Sequence, residues 1–316
     1  MFDRNRLHIK SLAERKSKTF YYPVTPYPYK LDDKERVFVD EMVTDIKEKK
    51  KVILGFGAHF IKNKCQQYLW ELLRKRSQLT STSYITHIVT NGASTIHDFE
   101  FAYYGETEED VRENLANGTF GLWETGEHIN KAINKYVSLG YGAAIGKYLE
   151  EDVSNDQRWP AKYVSLAWQC LKRDIPLSIC TSIGHDIIYE HPECDGAKIG
   201  EASYIDFLKL AATLEGLTDA VVLCIGSAIT VPMVMEKAFA MAKNVAPKTG
   251  TNVSCYVVDL FDEGNDWGTN EPAQDSVFYF IRPLKTFNRM FPGRCKYKRM
   301  DNRKLMFYLW KGMIGK

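Results

Sequence analysis

Tyr84-Ile85-Thr86-His87-Ile88-Val89-Thr90-Asn91-Gly92-Ala93-Ser94-Thr95-Ile96-His97-Asp98-Phe99-Glu100 is the stretch on which the fold turns. Its first six residues are apolar enough to read as a buried strand. Asn-Gly ends that strand, and His, Asp and Glu follow in what reads as the opening turn of a helix. Ionisable groups are thereby set at the carboxyl edge of a sheet, where open α/β folds bind their ligands.

The same rhythm extends to both sides. Residues 51–57 form a strand and a turn, and a helix runs on to about residue 76. Helical segments fill 106–150, starting from an acidic run at 106–110 that suits a helix N-terminus. A helix over 161–173 leads to a strand at 176–180, and a helix over 204–214 leads to an almost purely apolar strand at 220–225. A helix at 231–242, a strand at 253–258 and a last strand at 276–281 complete the series. Short continuous apolar runs separated by helices predict an α/β fold: a doubly wound, mostly parallel sheet with helices on both faces. Residues 1–48 read as an N-terminal arm and helix, and 49–316 as a single domain. The prolines of Tyr21-Tyr22-Pro23-Val24-Thr25-Pro26-Tyr27-Pro28-Tyr29 exclude a regular helix, and the tyrosines predict an extended arm packed on a protein surface. Phe38, Met42 and Ile46 give the following helix its buried stripe.

Composition narrows the function. A net charge of +2 provides no field that would gather nucleic acid or anionic lipid over the whole molecule. No apolar run approaches the ~18 residues of a membrane span, so neither nucleic acid nor membrane is expected as a partner. The seven cysteines form no C-x-x-C pair, which leaves no metal site in prospect and predicts a reducing, cytoplasmic setting. The basic and aromatic tail beyond residue 282 reads as a terminal helix with one face packed and its lysines in solvent.

Five groups carry chemistry. Gly55-Phe56-Gly57 starts like a dinucleotide fingerprint but has Phe60 where a third glycine would stand. Gly226-Ser227 is a second turn of small residues after the 220–225 strand. Each lets a backbone approach a phosphate beside a helix N-terminus, and each equally serves a tight turn with no ligand. Two in one sheet favour a dinucleotide that spans both halves. His185 and Asp186 follow the 176–180 strand, where a carboxylate can receive a cationic amine. His97 is a candidate acid or base, while Asp98 and Glu100 also suit the dipole of the helix they open, worth ~0.3–1 kcal/mol. Asp262, Asp266 and Trp267 form an acidic, Trp-bearing loop that fits a linear polyamine by charge pairing and cation–π contact; a solvated loop would have the same composition.

Taken in order, these segments resemble the deoxyhypusine synthase family, in its bacterial-type form, over about residues 50–282. The T-N-G-A…I-H-D-F-E run and G-H-D-I-I-Y-E-H-P are the specific parts. The resemblance implies a Rossmann-like fold, NAD as cofactor, and a homotetramer with sites at dimer interfaces. Its implied chemistry is aminobutyl transfer: NAD oxidises spermidine to an imine, and an enzyme lysine passes the aminobutyl group to an acceptor amine. By position, Thr90, Asn91, Gly92, Ala93, Gly226 and Ser227 would face NAD. Asp186 would bind the amine, and Tyr256 and Trp267 would line the substrate.

Three positions depart from the family. Its W-G-K lysine is replaced in Trp267-Gly268-Thr269, and threonine forms no Schiff base. Its active-site histidine falls near Pro232, and an aspartate expected before S-I-G appears as Cys180 or Thr181. Lys285 is a candidate substitute nucleophile. The expected activity is therefore an NAD-dependent transferase of a polyamine, passing the group to a free amine. The alternatives are a catalytically silent member that binds NAD or a partner subunit, and an unrelated Rossmann dehydrogenase.

Overall fold

A computed structural model describes the chain except for residues 1, 23–27, 29, 50, 76–81, 152–161, 262–270, 281 and 316. The strands are β1 (Thr19–Phe20), β2 (Lys51–Phe56), β3 (His87–Asn91), β4 (Glu106–Thr107), β5 (Leu177–Cys180), β6 (Thr218–Ile225), β7 (Thr251–Asp259) and β8 (Cys295–Arg299). The helices are α1 (Asp33–Glu48), α2 (Ala58–Lys62), α3 (Gln66–Arg74), α4 (Gly92–Tyr103), α5 (Val111–Ala116), α6 (Glu124–Tyr136) and α7 (Tyr141–Glu151). They continue with α8 (Leu166–Leu171), α9 (Gly196–Leu214), α10 (Thr230–Val245), α11 (Val277–Phe280), α12 (Arg282–Met290) and α13 (Asn302–Ile314).

The architecture is α/β, with a six-stranded sheet of order β5-β3-β2-β6-β7-β8. Neighbouring pairs β2–β3, β2–β6, β6–β7 and β7–β8 are all parallel. This is the Rossmann-like order, in which the chain leaves the first strand in one direction, returns, and builds out in the other. Between β2 and β6 lies the point of reversal. These strands are buried on both faces, as apolar runs such as Val221-Val222-Leu223-Cys224-Ile225 require.

The chain divides into two compact units, Met1–Pro23 with Gly92–Asp206, and Val24–Asn91 with Phe207–Lys316. The sequence reading set its only boundary at residue 48. The difference arises because the arm's hydrogen bonds go to residues 92–206: Lys10 exchanges backbone bonds with Leu122 and Glu124, and β1 pairs antiparallel with β4. In the second unit, α1 carries a capping box, Asp32 with Glu35, and buries Phe38, Met42 and Ile46 as expected. α13 buries Leu305, Met306, Leu309 and Met313, and Tyr68 of α3 meets Phe307 and Trp310. The basic tail is thus partly a packed helix.

Three elements differ from expectation. The acidic run at 106–110 was expected to open a helix, but Glu106–Thr107 is β4, paired with β1, and α5 begins at Val111 with Asp110 as its cap. Residues 276–281 were expected to form the last strand, but Val277–Phe280 is a helical turn and α12 follows, with Pro283 in its first turn, where a missing N–H costs nothing. The last strand is Cys295-Lys296-Tyr297-Lys298-Arg299, whose lysines suit an edge open to solvent. The decisive strand also lies three residues later than expected, at His87–Asn91, so α4 begins at Gly92 with no loop between them.

Candidate functional site

At the sheet reversal in the second unit, the tips of β2 and β6 touch. A Cβ built on Gly57 would stand 2.2 Å from the Gly226 carbonyl oxygen. Gly57 N–H donates to the Ile225 carbonyl at 3.3 Å and Gly226 N–H to that of Val258 at 2.8 Å. The two glycine turns that look unrelated in sequence are therefore one structure. Their glycines serve different ends. Gly57 permits the backbones to meet, whereas Gly226 has φ +60°, and among the described residues no atom beyond its chain neighbours lies within 4 Å of where a Cβ would be. Gly55 was expected to face a cofactor, yet it is buried in β2, and a Cβ there would come within 2.4 Å of Val231 Cγ1. It admits the first turn of α10 onto the sheet. Ser227 is 6% exposed, and its Oγ accepts from Val231 N–H at 3.3 Å, capping α10.

On the neighbouring strand, Thr90 Oγ donates to the Phe56 carbonyl at 2.7 Å, tying the ends of β2 and β3. Asn91 ends β3, half-buried. Tyr256 was expected to line the substrate. It lies inside β7, 1% exposed, with its hydroxyl donating to Asp45 Oδ2 at 2.7 Å and its ring edge-on to Phe38. It is a core residue. Lys285 in α12 is 8% exposed, with Nζ 3.5 Å from the centre of the Tyr279 ring. Asp262, Asp266 and Trp267 lie outside the described residues.

The first unit carries a different feature. Asp186 is half-buried against the first residue of α4, and a Cβ on Gly92 would stand 2.2 Å from Asp186 Oδ2. No described group donates a hydrogen bond to this carboxylate. Burial pushes it up to about 6, against a small opposing pull from His185. Ala93 is the second residue of α4. His185 is exposed and closes a turn by donating its N–H to the Ser182 carbonyl at 3.0 Å. Tyr141 is fully buried near Asp186, and its hydroxyl lies 3.4 Å from Thr95 Oγ. Burial, with Asp186 and other nearby groups adding to it, pushes the Tyr141 hydroxyl well up. Sequence reading missed Tyr141; its one signal is the flanking pair Gly140 and Gly142.

His97, Asp98 and Glu100 do not open α4. The helix starts five residues before His97, so the dipole argument for the two carboxylates fails. Asp98 instead caps α8, accepting from Ser165 Oγ at 2.6 Å, Leu166 N–H at 2.7 Å and Ala167 N–H at 3.1 Å. Burial still pushes it up to about 6. Glu100 binds the Arg15 guanidinium with both oxygens, at 2.6 and 3.0 Å, and accepts from Thr107 and Thr125 hydroxyls. Because Thr107 gives its proton to Glu100, the His97 Nδ1, 2.7 Å from Thr107 Oγ, must be the donor in that contact. Through Thr107, His97 joins the hydrogen-bonded group around Glu100 that anchors the N-terminal arm.

No family model matches this chain, and no curated protein matches it. Among solved structures it is similar to a conserved putative LOR/SDH protein from Methanococcus maripaludis S2, with a TM-score of 0.50 and 16% identity over 98% of this chain and 76% of that one. It is also similar to ArgZ, an arginine dihydrolase from the ornithine-ammonia cycle in cyanobacteria, with a TM-score of 0.48 and 13% identity. That match takes in 88% of this chain but 32% of the other, about a third of its length. At 16% identity the first of these likenesses is one of fold.

Proposed function

We propose that this protein is a deoxyhypusine synthase-like, NAD-dependent transferase that acts on spermidine or a related polyamine and passes the aminobutyl group to a free amine. The observation that carries the reading is Asp186: a carboxylate taken partly out of water, held at the start of α4, to which no group among the described residues donates a hydrogen bond. Such a group gains most from an incoming ammonium, which restores the charge partner that burial removed. The polyamine class and the homotetramer come from the sequence resemblance.

The residues at the sheet reversal fit a dinucleotide. Gly226 would let a pyrophosphate approach its backbone, Gly57 keeps the adjoining tips flush, and Ser227 holds the start of α10 by accepting from Val231 N–H. Bound there, NAD would supply the hydride acceptor for oxidation at the carbon beside the amine. Asp186 would bind and orient the cationic amine. Threonine at position 269 removes the family's covalent carrier, which is why a free amine is proposed as acceptor.

Calorimetric titration with NAD and with spermidine, and absorbance of NADH across a panel of di- and polyamines, test the reading. NAD binding with amine-dependent NADH formation supports it. Gly226→Val should abolish NAD binding, and Asp186→Asn should abolish amine binding alone. Binding of NAD without amine turnover would favour the silent member that threonine at 269 also suits. Failure of the wild type to bind either ligand at millimolar concentration would overturn both.

A further inference from the structure

We infer that Asn130, in the middle of α6, is a positioning residue that sets the Asp186 carboxylate against Gly92. The benefit to amine binding rests on the function proposed above; the placement rests on geometry alone. Asp186 stands where an exposed turn meets a segment held by its neighbours. Before it, residues 182–185 form an exposed turn in which Gly184 has φ +89°. After it, the chain is tied down as far as Cys194. Ile187 lies on Gly121, where a Cβ would approach to 2.9 Å. The Ile188 carbonyl accepts from Asn130 Nδ2 at 2.8 Å. The His191 side chain lies on Gly126, where a Cβ would meet the His191 Cβ at 3.2 Å and its ring at 3.4 Å. Glu193 and Cys194 carbonyls accept from Asn134 Nδ2 at 3.0 Å and Arg4 Nη1 at 2.5 Å.

Gly126, Asn130 and Asn134 are spaced by four along one face of α6, so a single helix face holds the segment. Of the α6 side chains, Asn130 makes the hydrogen bond nearest to Asp186, two residues along the chain, beyond the turn that Tyr189 N–H closes on the Asp186 carbonyl at 3.2 Å. Asn130 is 0% exposed. Its two N–H groups are spent on carbonyls, those of Gly126 at 2.7 Å and of Ile188 at 2.8 Å, which fixes the orientation of the amide. Its Oδ1 is buried and meets no donor among the described residues. An amide retained with its acceptor unmet is retained for its donors, because an apolar side chain of like size would remove that penalty. Those donors stop the segment after Asp186 from sliding along α6, and shifts of about 1 Å are enough to spoil a positioned group.

The test follows the titration of Asp186 by carbon NMR, with its signal assigned from Asp186→Asn, alongside spermidine and NAD titrations. Asn130→Ala is compared with Asn134→Ala, which removes a bond to the same segment seven residues from Asp186. In Asn130→Ala the Asp186 midpoint should fall from about 6 by about one pH unit, as the carboxylate turns to water, and spermidine affinity should fall about tenfold. NAD affinity should not change. Asn134→Ala should leave the Asp186 midpoint and spermidine affinity at wild-type values even where its melting temperature falls equally. If Asn130→Ala does not fold, Asn130→Ser, which keeps one donor, should show a smaller shift in the same direction. An unmoved midpoint, or equal shifts in the two α6 variants, overturns the inference. The midpoint is read without ligand, so wild-type protein that ignores spermidine would refute the proposed function and leave this test intact.

Discussion

Asp186 and Gly57 show how single residues set the properties of a site. A carboxylate raised to about 6 is protonated more readily in the folded chain than in the unfolded one. Its contribution to stability is therefore greatest below its ordinary value near 4 and is lost as pH rises through about 6. On the function proposed above, amine binding needs the ionised form, so spermidine affinity should climb between pH 5 and 7, and Asp186→Asn should flatten that profile. The same variant should stabilise the protein at pH 7 by about 1 kcal/mol, allowing for the partial exposure of the group; denaturant unfolding at pH 5 and 7 measures it. At Gly57, alanine would drive a methyl group into the Gly226 carbonyl, with backbone on both sides and nothing free to move. Urea unfolding of Gly57→Ala should show a loss of about 1–3 kcal/mol.

Arg15 decides what becomes of an element, the N-terminal arm. Its side chain and that of Glu100 are 2% and 1% exposed, and the pair joins the arm to the middle of α4. Burial pushes Glu100 up, but the Arg15 charge and its hydrogen bonds outweigh that and hold it below the usual carboxylate range. The stability gained is present above the ordinary Glu value and lost as pH falls beneath it. Arg15→Ala should cost about 3–5 kcal/mol, since it strands a buried carboxylate. Limited proteolysis should then cut within residues 1–20, which the wild type protects. The sequence gives no sign of this pairing: 85 residues separate the partners, and an arginine in a polar arm reads as solvated until the fold brings Glu100 to it.

Over the whole molecule the seven cysteines offer a probe. All are free and buried, and burial pushes the thiols of Cys65, Cys170, Cys180, Cys194, Cys224 and Cys255 up. A thiol reagent at pH 8 should label none of them quickly in the native protein and all seven in denaturant. Cys170, Cys180 and Cys194 report on the first unit and the other four on the second, so peptide mapping during unfolding shows whether the units melt together. Among the described residues no helix is long and apolar enough to cross a membrane. The sequence by itself determined the α/β class, the strands β2, β3, β5, β6 and β7 to within a few residues, and the glycine turns at two strand ends, because apolar runs, helical periodicity and turn chemistry are local signals. It misplaced β8, since an edge strand that alternates lysine with a partly exposed tyrosine looks like a solvated tail. Only the tertiary structure decided that Gly57 and Gly226 meet, that Tyr256 lies in the core and Gly55 under α10, and that Asp98 caps a distant helix. Those outcomes depend on which strands become neighbours, and strand order follows from packing contacts between residues far apart in the chain.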